Sequence, residues 1–305
     1  MTIGGRIEIT SSRVTSLCAD HCIFLDEVRF VNCRFDGVTS MIGAEFRSGC
    51  TFEGCNFAYA VMTGMKVREG ASFHRSRFSQ LVDLSGGTFD KLDLTESIVV
   101  ETLSLKGITA VPLADEDDED PKTGLIMNDM TVMGHVYNDF ADSPDDKANR
   151  QFLDDFARVN SADGIGVMRS ILEDSDRCAW ADEAFVLKKR KEREDLKGRK
   201  LIRSYLSDWL GGYGMHPLKA LVAMVVVMVA FTAVIALVGI CCGNPDMGMG
   251  AADPLLLSVM SYFSLSVWEL DPIYSVLRIV CLVEGIIGLL LTLYFTVILT
   301  RKIVR

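Results

Sequence analysis

A square-sided β-solenoid, an α-helical neck and a two-helix membrane module with a short helix between its spans is the architecture this sequence predicts, on three observations. Bulky apolar residues recur every five or six positions from Phe24 to Leu105. Two long apolar runs, 218–240 and 279–300, follow near the C-terminus, and about 20 apolar residues suffice to cross a bilayer. Between the runs, Asp253 and Pro254 stand as an N-cap and a first helical residue. The apolar part of that segment ends near Trp268, after roughly 14 residues, the length of a re-entrant or interfacial helix.

Composition agrees with this division. The 305 residues are 49% hydrophobic with a formal net charge of −10, and the apolar excess sits after Pro217. Residues 1–165 carry 15 Lys+Arg against 27 Asp+Glu, 166–215 carry 11 against 9, and 216–305 carry 5 against 5. The acidity belongs to the N-terminal half, which argues against a nucleic-acid-binding surface there. Met1–Thr10 has no apolar stretch of the signal-peptide kind. With no secretory signal, nine irregularly spaced cysteines point to reduced cytosolic thiols.

The solenoid expectation rests on residues 22–105. Centres fall at Phe24, Phe30, Phe35, Met41, Phe46, Phe52, Phe57, Met62, Val67, Phe73, Phe78, Leu84, Phe89 and Leu94. Two positions before most of them stands a slim residue, such as Cys22, Val28, Cys33, Thr39, Ala44, Cys50, Cys55 or Ala60. A step near five fits neither a helix nor a two-residue strand alternation. It fits a coil whose every side turns one large and one small residue inward, and whose core closes only when neighbouring coils stack. Cys18, His21, Cys22, Cys33, Cys50 and Cys55 invite a zinc reading, but their spacing matches no standard ligand pair; the slim inward row accounts for most of these cysteines. The runs Ala44-Glu45-Phe46, Cys50-Thr51-Phe52-Glu53-Gly54-Cys55-Asn56-Phe57 and Ala71-Ser72-Phe73-His74-Arg75-Ser76-Arg77-Phe78 resemble pentapeptide repeats. The resemblance covers roughly residues 20–108, is weakest at Met62–Val67, and implies a right-handed quadrilateral β-solenoid.

Beyond the coils, the acidic run 114–121 reads as a solvated loop. Leu125–Met127 and Thr131–Tyr137 read as one or two further coils covering the open end. From Ala148 the period becomes helical, with Phe152, Phe156 and Val159 on one face and Val167, Ile171 and Leu172 on another. Residues 179–210 form one long helix or two, strongly charged at 188–200. The end of this segment carries an apolar stripe of Leu201, Ile202, Tyr205, Leu206, Trp209 and Leu210. Such a helix either packs between domains or lies on a membrane surface with Trp209 and Tyr213 at headgroup level. The domains expected are a solenoid over 1–140, a neck over 141–216 and a membrane module over 217–305. Its spans are expected at about 218–240 and 277–300 and its re-entrant helix at about 254–268.

Lysines and arginines flank the module: the basic neck precedes it, and Arg301, Lys302 and Arg305 close it. Arg278 is the basic residue between the spans. The positive-inside rule then places both termini, and the solenoid, on the cytoplasmic side of the inner membrane in a multi-pass arrangement. In the module, Asp208-Trp209-Leu210-Gly211-Gly212-Tyr213-Gly214, His216-Pro217-Leu218-Lys219-Ala220, Ser261-Tyr262-Phe263-Ser264, Leu282-Val283-Glu284-Gly285-Ile286-Ile287-Gly288-Leu289 and Leu299-Thr300-Arg301-Lys302 resemble a two-membrane-helix ion channel domain of the potassium channel superfamily. That resemblance implies a pore-type module, a homotetramer and monovalent cations as the conducted species. The sequence departs from the family's glycine filter, because no glycine lies between Gly250 and Gly285. The filter region reads Ser264, Leu265, Ser266, Val267, Trp268, Glu269, Leu270, Asp271.

Ser264, Ser266, Val267, Trp268, Glu269 and Asp271 are thus the pore candidates. Four copies of Glu269 and Asp271 would ring an outer mouth and concentrate cations, or sit in a plain solvated loop. Glu284 is an intramembrane carboxylate, which costs about 2.5–3.5 kcal/mol or more against lipid. It is expected to pack behind the short helix, bonded to Ser261, Tyr262 or Ser264; the alternative is a pore-lining proton or cation site. Gly285 and Gly288 offer a small-residue face for close helix packing. No nucleophile pattern or phosphate-cradling loop accompanies the four histidines, so no enzyme, cofactor or metal site is expected. The functional expectation is a weakly selective or degenerate cation channel whose solenoid recruits a cytoplasmic partner or regulates the pore. The alternatives are a non-conducting, membrane-anchored oligomeric scaffold and, further off, an acidic DNA-mimicking rod.

Overall fold

The computed structural model describes residues 1–110, 124–139, 147–241, 253–263 and 275–304. They form two compact units, Met1–Asp195 and Leu196–Arg305. The first unit is a β-solenoid of about five turns built from parallel sheets. Thr2 pairs with Ile23, Ile23 with Glu45, Glu45 with Lys66, Lys66 with Thr88 and Thr88 with Thr109. Each turn therefore consumes 21 or 22 residues. The described strands make two six-stranded sheets and one nine-stranded sheet. The long strands Arg34–Ser40, Asn56–Val61 and Arg77–Asp83 run through the nine-stranded sheet, whose register shifts between Phe57 and Tyr59. It splits at its outer turns into separate rows for Arg13–Val14 and Leu17–Cys18, and for Thr131–Val132 and His135–Tyr137.

The inward rows are as the periodicity expects. Phe30, Phe52 and Phe73 stack at 5.2 and 5.1 Å, and Phe35, Phe57 and Phe78 at 4.6 and 5.1 Å. The two ladders meet edge to face, Phe52 against Phe57 at 5.6 Å. Each such pair adds about 0.5–1.5 kcal/mol to its area burial. The weak stretch around Met62–Val67 still forms a turn. There Met65, fully buried, fills the slim row beside the smaller Val67, and one turn on the same row holds Gly87, since Lys66 pairs with Thr88. Met is suited to such an irregular gap. Corners turn through left-handed backbone: Gly43, Gly64, Gly86 and Gly107 lie in one column, all with φ between 61° and 67°.

Leu125–Ile126, Thr131–Val132 and His135–Tyr137 pair with the preceding turn and complete a coil, as expected. The open end is covered by helices instead. α1 (Lys147–Val159), α2 (Ala162–Asp174) and α3 (Cys178–Arg193) carry Leu153, Phe156, Ile165, Met168, Ile171, Leu172 and Trp180 into the same core as the phenylalanine ladders. Asn160, between α1 and α2, acts as a substitute strand. Its Oδ1 accepts from the Met127 amide at 2.7 Å and its Nδ2 donates to the Leu125 carbonyl at 2.9 Å. A sheet edge that would otherwise recruit another strand is thereby closed.

The unit boundary falls inside 141–216, the segment expected as one neck. α1–α3 belong to the solenoid because its apolar end needs their apolar faces. The 179–210 segment is two helices, broken before Gly198 (φ 60°), and the second, α4 (Arg199–Gly211), belongs to the second unit. That unit continues with α5 (Pro217–Cys241), α6 (Asp253–Tyr262) and α7 (Ser275–Val304). Pro217–Val238 and Leu277–Arg301 are long and apolar enough to cross a membrane. The short helix starts at Asp253, and the part of its expected range beyond Phe263 lies outside the described residues.

Candidate functional site

Three buried polar side chains of the second unit, Ser258, Ser261 and Glu284, meet where α6 packs on α7. Cys281, Glu284, Gly285 and Gly288 recur at helical spacing on α7 and are all buried, while Leu282, Val283, Ile286, Leu289, Leu290 and Leu293 on its other sides are exposed. α5 is built the same way, with Ala220 and Ala223 inside and Leu218, Val222, Val225 and Val229 outside. Small and polar residues inward with large apolar residues outward is the reverse of a water-soluble helix.

α6 packs against both long helices through this inner face. Ser258 Oγ donates to Glu284 Oε1 and lies 3.2 Å from the Met228 carbonyl of α5. Ser261 Oγ donates to the Cys281 carbonyl at 2.5 Å. Ser258, Ser261 and Glu284 are 0%, 1% and 0% exposed, so these bonds form in a dry interior where an unmet polar group is costly. Gly288 makes the approach possible: a Cβ there would stand 2.5 Å from the Tyr262 carbonyl oxygen. Glu284 thus lies behind the short helix as expected, and its direct hydrogen bond is to Ser258. It meets Ser258, one turn before Ser261, and Ser261 is taken by a main-chain carbonyl. Glu284 Oε2 is buried without a hydrogen-bond partner among the described residues. Sequence reasoning missed Ser258, although Ser258 and Ser261 at i, i+3 place two hydroxyls on one face of an apolar helix. Ser264, Ser266, Val267, Trp268, Glu269 and Asp271 lie outside the described residues.

In the first unit the cysteines follow the packing reading. Cys33, Cys50 and Cys55 are buried, and burial pushes the Cys50 and Cys55 thiols up to about 12, far from a nucleophilic or metal-binding thiolate at neutral pH. A cavity of about 290 Å³ lies between the last turn and α1–α2, lined by Leu105, Ile108, Phe152, Met168 and Ile171 with Asn138 and Asp139 at its rim. The step of the turns, their paired large and slim rows and their parallel stacking all agree with one another. Residues 19–66 match the family model of pentapeptide repeats (9 copies). The coils over residues 19–66 carry pentapeptide repeats. The solenoid extends past the matched segment, because the same ladders continue through Phe73, Phe78 and Phe89 to Leu125–Tyr137. No curated protein and no solved structure matches the chain.

Proposed function

We propose that the protein is a multi-pass inner-membrane protein with both termini in the cytoplasm. In this reading four copies of the C-terminal unit surround a weakly selective cation pore, and the right-handed, four-sided solenoid recruits a cytoplasmic partner or regulates that pore. No catalytic step is assigned to it. The outward apolar surface of α5 and α7 supports the membrane part of the reading, since monomeric soluble proteins rarely expose apolar patches larger than a few hundred Å². The placement of basic residues supports the orientation. The observation that carries the channel part is α6, a short helix held between two longer ones by Ser258, Glu284 and Gly288. That is how a re-entrant helix would be fixed beside a pore. Glu269 and Asp271, following that helix, would supply the acidic mouth.

The missing glycines between Gly250 and Gly285 favour a second reading, a non-conducting oligomeric anchor for the solenoid. Ion flux from liposomes holding the purified full chain separates the two. Flux of Na⁺ and K⁺ that falls in Glu269→Gln and Asp271→Asn supports the channel. A verified tetramer that passes neither Na⁺, K⁺ nor Cl⁻ leaves the anchor, and unchanged current in both variants removes the acidic mouth.

A further inference from the structure

α4 is folded inside out. Ile202, Tyr205, Leu206 and Trp209 recur at i, i+3, i+4 and i+7, so they share one face, and they are 69%, 57%, 52% and 52% exposed. Ser204 and Gly211 lie on the opposite face and are buried, and Lys200, in the first turn of that face, is exposed. Ser204 Oγ is 2.7 Å from the Tyr213 hydroxyl. A Cβ on Gly211 would lie 2.9 Å from Tyr294 Oη and 3.1 Å from Ile298 Cδ1 of α7. The helix therefore packs on the spans through its small residues and turns its large apolar residues away. Tyr213, expected at headgroup level beside Trp209, turns inward to Ser204.

Charge flanks this outward stripe. Arg199 and Arg203 lie on one shoulder of it at 100° per residue, and both are exposed. Lys219 at the start of α5 and Arg301, three residues after Ile298 on α7, are exposed too. Asp208 stands on the other side of the helix, away from this shoulder. A stripe of aliphatic and aromatic residues beside guanidinium and ammonium groups, at the basic end of two apolar helices, fits one medium: the boundary between acyl chains and anionic headgroups.

We propose that α4 is an interfacial helix whose stripe enters a bilayer leaflet while Arg199 and Arg203 bind the phosphates of anionic lipids. The proposal rests on the membrane reading above, and its test separates the two. The full chain is reconstituted into phosphatidylcholine vesicles with or without phosphatidylglycerol, and Trp209 emission is read as the difference between parent and Trp209→Phe. Lipids brominated high on their acyl chains should quench this emission about twofold, more strongly with phosphatidylglycerol present. The double variant Arg199→Gln, Arg203→Gln should abolish the phosphatidylglycerol increment and leave the quenching in phosphatidylcholine. Equal quenching in both vesicles would overturn the headgroup assignment. Retention of the protein after an alkaline carbonate wash, with Trp209 reached only by a water-soluble quencher or by none, would overturn the proposal alone, in favour of solvent or a protein surface. Release by the wash would overturn the membrane reading and this proposal together.

Discussion

Asp20 shows how a single side chain binds adjacent turns of the solenoid. It accepts from Ser40 Oγ at 2.6 Å and from the Ile42 amide at 2.9 Å, and these bonds hold its carboxyl below the ordinary value of 3.8. The unfolded chain binds a proton there at higher pH than the folded chain does. The stabilisation is therefore complete above about pH 5 and is lost as pH falls through the depressed folded value. Asp20→Asn should flatten the fall in urea midpoint between about pH 5 and about pH 3, an effect of under about 1 kcal/mol because the site is wet. A variant with the parent's full acid sensitivity would refute it. Glu284 is the opposite case, a carboxylate in a dry site. Its burial was legible from its place in an apolar run. Its partner was not, because the facing turn of α6 depends on the depth at which that helix packs, and Gly288 against Tyr262 decides that depth.

At the scale of elements, the coils were legible because each repeats the same large-and-slim inward pair. The signal left unused was the corner column, Gly43, Gly64, Gly86 and Gly107, whose 21- and 22-residue spacing equals the turn length. The cap was not legible. Nothing local distinguishes Asn160 from an ordinary turn asparagine, yet its amide replaces a strand against Leu125 and Met127. Asn160→Leu should leave the Met127 amide without its acceptor and cost ~1–3 kcal/mol. The expected readouts are a lower thermal midpoint and faster hydrogen exchange at Met127. Unchanged exchange there would mean that the edge closes without the side chain.

For the whole molecule, the chain divides between Asp195 and Leu196, and Asp195, Lys197, Gly198 and Arg199 are exposed between α3 and α4. Limited trypsin treatment of open membrane sheets should cut first at Lys197 or Arg199 and release the solenoid with α1–α3 as one soluble fragment. First cuts near residue 140 would instead place the boundary where the neck was expected to begin.

The sequence by itself determined the two regimes of this protein, a five-to-six-residue period followed by two runs of bilayer length, because each is a one-dimensional pattern of apolar residues. It also marked Glu284 as a group that must face away from lipid. Only the tertiary structure decided which helices close the solenoid, that Glu284 meets Ser258, and that α4 turns its large apolar face outward. Those outcomes depend on which faces are already occupied by other elements. Leu206 and Leu153 read alike along the chain, and one is exposed and the other buried only because of what packs beside them.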